Sequence, residues 1–266
     1  MVLPPTKRRA IVAVWDFCRA VDDAADEAGG EAGAEQVRQW RAELARCFDG
    51  AAPQTPQGRA LQPLVAAFRL PRSAFDALIE GVEMDLRPRR YATFADLYEY
   101  CIRVASAVGL MCVEIFGCRD PGSRQYAIDL GVALQLTNIL RDVRGDLARG
   151  RIYIPGEDFE RFRCTEADLR NETERAGRGV QSAAVGDLLA YQARRAREYY
   201  ARADAALPRA DARRLVAARI MGAIYRGILT RIEAARYDVF SRVIRVPRPE
   251  RASIAAAVWM RSLFGL

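Results

Sequence analysis

The chain has 266 residues, 51% of them hydrophobic, which is enough for one domain with a substantial core and excludes a disordered protein. It contains no histidine, which excludes imidazole-based hydrolase triads and most zinc sites and leaves carboxylates and hard cations such as magnesium for metal chemistry. Its net charge of +7 rests on arginine, with Lys7 the only lysine, and suits a phosphorylated substrate, nucleic acid or an anionic membrane, or else reflects the base composition of the gene.

In chain order, Pro4 and Pro5 precede a periodic helical segment over 6–28 that Gly29-Gly30 stops. Helices are expected over 32–49, 57–69 and, after Pro71, 72–86. Thr93 is the expected N-cap of an apolar run that reaches Gly117. Pro121 opens a helix that continues through Asp146 and ends near Gly150. A long loop is expected over 150–179, followed by long helices over 179–207 and 209–240. Pro247 and Pro249 break the chain before a last helix to Leu266.

These elements predict an all-α, single-domain bundle over 1–266, its helices packed round a central cavity. No segment is apolar enough to span a bilayer. The amphipathic tail over 254–266 can pack on the core, its simpler use, or touch a membrane surface. Six cysteines at 18, 47, 101, 112, 118 and 164 form no CxxC pair, and no secretory signal precedes them. They read as reduced, mostly buried thiols of a cytoplasmic protein.

Two acidic clusters carry the chemistry. The first is Asp22-Asp23-Ala-Ala-Asp26-Glu27, and the second is Asp142-Val-Arg-Gly-Asp146. In each, aspartates at i and i+4 project from one helical face. Like charges at that spacing destabilise a helix by about 0.2–0.5 kcal/mol, so a compensating partner is expected. A divalent cation bridging each pair to a diphosphate supplies one. Val14, Phe17 and Val21 flank the first cluster, and Leu136, Ile139 and Leu140 the second, so neither helix is uniformly polar. Arg19, Arg141, Arg149 and Arg151 lie beside the acids, and guanidinium groups grip diphosphate oxygens in pairs. The two aspartate pairs are expected to face one another across a cavity.

The stretch Cys18-Arg19-Ala-Val-Asp22-Asp23-Ala-Ala-Asp26-Glu27 resembles the first aspartate-rich motif of squalene and phytoene synthases. Gln135-Leu-Thr-Asn138-Ile-Leu-Arg141-Asp142-Val-Arg-Gly-Asp146-Leu-Ala-Arg-Gly-Arg151-Ile-Tyr153-Ile-Pro155 resembles the second, and Tyr100-Cys-Ile-Arg-Val104-Ala105-Ser-Ala-Val108-Gly109-Leu110 resembles the tyrosine segment between them. The likeness runs from about Leu3 to Phe240, with weaker support over 225–242.

The resemblance implies that Asp22 and Asp26 hold magnesium (manganese being an alternative) with one diphosphate, and that Asp142 and Asp146 do so opposite them. It implies that Asn138 helps ligate metal and Gln135 lines the pocket floor. By the same likeness Arg19, Arg141, Tyr225 and Arg242 grip diphosphate oxygens, Tyr100 and Tyr153 face the reacting carbons, and Asp85 lies near the cavity mouth. Small residues such as Ala105 and Gly109 either leave room for isoprenoid tails or allow close helix packing.

Two departures stand out. Trp15 replaces the family's tyrosine before Asp-Phe-Cys-Arg, keeping a ring without its hydroxyl. The family's upstream Ser-Phe-Tyr segment, which contacts a diphosphate and closes the cavity, does not precede Met1 in this sequence. The expectation that follows is a more open site, poor turnover and release of prenyl alcohol.

The implied reaction is head-to-head condensation of two prenyl diphosphates. Val108-Gly-Leu-Met-Cys-Val-Glu114-Ile115-Phe116-Gly117 looks more like bacterial presqualene diphosphate synthases, which join two farnesyl diphosphates. The alternatives are a phytoene synthase acting on geranylgeranyl diphosphate and an inactive relative serving as a binding or assembly protein. No dinucleotide fingerprint points to NADPH or a reductive step to squalene. A nucleic-acid partner is not expected, because the arginines border acidic motifs instead of segregating on one face.

Overall fold

The computed structural model describes residues 3–28, 30–86, 89–177 and 181–263; for 26–28 it describes the backbone alone. Every regular element among them is helical: α1 (Pro5–Ala28), α2 (Gly30–Asp49), α3 (Pro56–Phe68), α4 (Arg72–Met84), α5 (Phe94–Cys101), a π-helical turn (Ile102–Ser106), α6 (Ala107–Phe116), α7 (Gly122–Ala148), α8 (Gly156–Arg161), α9 (Glu166–Glu174), α10 (Ala183–Ala206), α11 (Val216–Ala234) and α12 (Arg248–Leu263).

Two apolar cores share one wall. Phe17, Leu44, Leu61, Phe75 and Ile79 join α1 to α4 in the first. Leu97, Leu140, Leu188 and Leu229 gather α5, α7, α10 and α11 in the second. Helix α6 serves both: Met111 and Ile115 enter the first core, Val113 and Phe116 the second. Its sequence is apolar nearly all round, as a helix buried on two sides requires.

The wall is tight because it is built on glycine. A Cβ at Gly131 of α7 would lie 2.6 Å from the Ser106 Cα, and one at Gly109 of α6 would lie 3.0 Å from the Ala127 carbonyl oxygen. Gly109 therefore serves close packing of α6 on α7, which resolves one of the two uses the sequence left open. Thr93 caps α5 as expected, in a reciprocal box with Asp96. The apolar run to Gly117 is one continuous rod, but its π-turn is a feature that the 3.6-residue period does not disclose.

Three expectations need correction. The segment over 209–240 is helical only over Val216–Ala234. Asp211, wholly buried, accepts hydrogen bonds from the Arg119 and Asp120 amides at 2.7 and 2.8 Å, from Ser123 Oγ at 2.9 Å and from Arg214 at 3.1 Å. That network pins the start of α7 and leaves 209–215 as turns. At the other end Arg236 and Tyr237 take positive φ values of 53° and 64°, which stops the helix.

The stretch over 150–179 is not a plain loop; it holds α8 and α9, the latter opened by a Thr165–Asp168 capping box. In the tail, α12 buries Ser262 and sets Ile254 against the core, yet Trp259, Met260 and Leu263 stay exposed. Core packing thus accounts for only part of that helix; residues 264–266 lie outside the described residues. No helix among the described residues is long and apolar enough to cross a membrane. All six cysteines are free thiols, four of them buried.

Candidate active site

Helix α7 presents Asn138, Asp142 and Asp146 at successive i+4 steps, hence along one face. Asn138 donates from Nδ2 to Gln135 Oε1 at 3.4 Å, but its Oδ1 is buried with no hydrogen-bond partner. A buried acceptor in that state costs about 1–3 kcal/mol, and a cation would satisfy it. Asp142 is held by the neighbouring Arg141 guanidinium, through Nε at 2.8 Å and through Nη2. The Tyr225 hydroxyl of α11 lies near the Arg141 guanidinium and, after Asp142, helps to keep it protonated.

Asp146 is half-buried. Burial pushes its carboxyl up to about 7, with the Asp142 charge adding to the effect, Arg149 and Arg151 opposing it, and Asp85 adding a little. An acid raised above its ordinary value, near 4, keeps its proton in the folded chain where the unfolded chain has lost it. Between about pH 4 and pH 7 the folded state therefore binds more protons, and stability falls as pH rises. Asp146→Asn removes that dependence. In urea unfolding, the variant is expected to match the parent near pH 4 and to exceed it in stability at pH 8. A difference that does not grow with pH would contradict this reading of the site.

Next to Asp146 lies a cage of tyrosines. Asp85, at the C-cap of α4, accepts from Tyr100 Oη at 2.7 Å and from Tyr153 Oη at 2.9 Å. The Tyr100 and Tyr153 rings stack with centroids 5.1 Å apart. Tyr91 completes the cage, 5.7 Å from Tyr100 and 6.0 Å from Tyr153, with its hydroxyl buried and unpartnered. Arg151 closes the back by donating to the Asp85 carbonyl at 3.3 Å. Asp85 is half-buried and tied to both tyrosines. Tyr91 had no signal in the sequence beyond its place ahead of the Thr93 cap.

The first motif is less gathered. Asp22 is exposed, and the Asp26 side chain lies outside the described residues. Arg19 pairs with Asp23 at 3.4 Å in an exposed contact, and its guanidinium lies 5.7 Å from the centre of the exposed Trp15 ring. Arg242 is exposed in the segment between α11 and α12. Helix α6 packs on both α1 and α7, which make no extensive contact with each other.

No group of three acidic or thiol ligands is assembled among the described residues. The oxygens of Asn138, Asp142 and Asp146 nonetheless form a hard donor set that suits magnesium completed by water and phosphate oxygens. Among the described residues, some open cavities lie elsewhere and hold none of the expected site residues. One of about 510 Å³ is bordered by Glu172, Asp187 and Tyr237, and one of about 710 Å³ by Val12, Leu64 and Phe68.

Residues 1–251 match the family model described as Squalene/phytoene synthase. The chain is 40% identical to a 15-cis-phytoene synthase of Synechocystis sp., covering 98% of this chain and 79% of that protein. It is 35% identical to a presqualene diphosphate synthase of Rhodopseudomonas palustris, covering 95% and 88%. Among solved structures, a dehydrosqualene synthase in complex with a ligand superposes with a TM-score of 0.86 at 28% identity, covering 99% of this chain and 89% of that one. A squalene synthase from Alicyclobacillus acidocaldarius gives 0.76 at 33% identity, covering 89% and 86%.

Proposed function

The chain belongs to the squalene/phytoene synthase family, and from that premise we propose that it joins two prenyl diphosphates head to head, with farnesyl diphosphate as both donor and acceptor. The observation that carries the proposal is the unsatisfied Asn138 Oδ1 in line with Asp142 and with Asp146, whose carboxyl burial raises. That row of oxygens suits a hard cation, and a magnesium–diphosphate is the ligand the family's substrates would bring.

Asn138, Asp142 and Asp146 would hold that group from α7, and Asp22 and Asp26 would do so from α1. When bound, magnesium neutralises charge on the diphosphate and so makes it a better leaving group. Arg141, held by Asp142, would bind the departing oxygens, with Arg19 and Arg242 drawn in from their exposed positions. The Tyr91, Tyr100 and Tyr153 rings offer faces to an allylic cation. The apolar wall of α6 and α7 would keep water from that cation.

Farnesyl diphosphate is favoured by the presqualene-like segment over 108–117. A second reading, geranylgeranyl diphosphate to phytoene, is favoured by the higher identity to the phytoene synthase of Synechocystis sp.. Initial rates with each diphosphate decide between them. The first reading expects kcat/KM at least about tenfold higher for farnesyl, a difference of about 1.4 kcal/mol; the reverse order establishes the second. Assays with and without a nicotinamide reductant separate presqualene diphosphate from squalene as the product.

A further inference from the structure

Asp85 presents each carboxylate oxygen to a different phenol: Tyr100 donates to Oδ2 at 2.7 Å and Tyr153 to Oδ1 at 2.9 Å. The two hydroxyls are 3.5 Å apart, and both rings are buried. A carboxylate so placed is a proton acceptor with two donors already aimed at it. Tyr100 cannot serve as a free base by itself. Burial first, and then the Asp85 charge, hold its hydroxyl well above the ordinary tyrosine range, so it stays protonated.

We propose that Asp85 is the final acceptor of the proton lost when the two prenyl chains close their ring, and that it is reached through the Tyr100 hydroxyl. This rests on the head-to-head reading above. In that step C1 of the donor, already bonded to the acceptor, loses a hydrogen as a proton. The electron pair of the broken C–H bond forms the third side of the cyclopropane, at the cationic carbon. The proton goes to Tyr100 Oη while the hydroxyl's own proton moves to Asp85 Oδ2. Tyr100 remains a neutral phenol, Asp85 becomes a neutral acid, and no oxidant or reductant is needed. Tyr153 holds the other carboxylate oxygen and is a positioning residue. Asp85 itself acts through Tyr100 and does not touch the reacting carbons.

Asp85→Asn keeps the shape of the side chain and removes its capacity to take a proton. Two readouts separate its role from ionisation of the donor. Scrambling of ¹⁸O from the bridging to the non-bridging positions of the donor diphosphate reports ionisation. The ratio of coupled product to prenyl alcohol reports closure. The variant is expected to scramble at close to the parental rate while the ratio falls by at least about a hundredfold. Tyr100→Phe is expected to shift the ratio in the same way, and Tyr153→Phe to shift it less. Should Asp85→Asn show no cooperative melt, Tyr100→Phe carries the same two readouts. A parental product ratio in the folded variant overturns the proposal. Loss of scrambling together with product also overturns it, because Asp85 would then serve the diphosphate. If the parent protein neither scrambles nor couples prenyl diphosphates, the head-to-head reading fails and this inference fails with it.

Discussion

Asp142→Asn is expected to lower turnover by at least about a hundredfold while the protein stays folded. The carboxylate is half-buried and gripped by Arg141. In the unliganded chain its charge is a burden, since it helps to hold the Asp146 carboxyl at about 7. Its loss should therefore leave the thermal melt unchanged or raise it slightly, relieving a like-charge pair worth about 0.2–0.5 kcal/mol on a helix. The activity defect appears where the charge is needed, with the magnesium–diphosphate in place. Steady-state rates across a magnesium titration check this. Parental activity at limiting magnesium would show that Asp142 has no part in holding the diphosphate.

Arg195→Met should be the most destabilising single change in the α8–α10 region, at about 3–5 kcal/mol. Arg195 and Asp158 are both buried, and they pair through two contacts at 2.6 and 3.1 Å. Gln192 completes the network, donating to Asp158 and accepting from Arg195, each at 2.9 Å. The guanidinium also lies 4.2 Å from the centre of the Phe94 ring. Methionine would fill most of the volume but strand the Asp158 carboxylate without its cation. Asp158 follows Tyr153 by five residues, so the pair ties the segment that carries that tyrosine to α10. Urea unfolding at neutral pH measures the loss. A change below about 1 kcal/mol would mean that the pair behaves like an exposed one.

Much of this architecture could be read from the sequence, and the parts that could not share a physical cause. Helices α1 to α4, α7 and α10 follow apolar spacing and Pro or Gly punctuation, which are local signals. The shortening of α11 is not local. It depends on Asp211 receiving donors from Arg119, Asp120 and Ser123, some ninety positions away in the chain. The π-turn over Ile102–Ser106 likewise lies where the rod meets Gly131 of α7, a contact no periodicity contains.

The site shows the same division. Asp142, Asp146, Asn138 and Gln135 share one helix, so their spacing alone gathers them. Asp85, Tyr91, Tyr100 and Tyr153 come from separate segments, and only the folded chain reveals that the carboxylate is shared by two tyrosines. Resemblance to the family named three of those four residues but gave no hint that they form one unit. Tyr91 was missed because a tyrosine ahead of a capped helix carries no signal of its own.

The most direct measurement is mass spectrometry of the products formed from farnesyl diphosphate by the purified protein with magnesium and no reductant. The account predicts one coupled product containing two farnesyl chains and a single diphosphate, with one diphosphate released per coupling. A product built from one chain only, whether cyclised or hydrolysed, with no coupled species from either farnesyl or geranylgeranyl diphosphate, would contradict it.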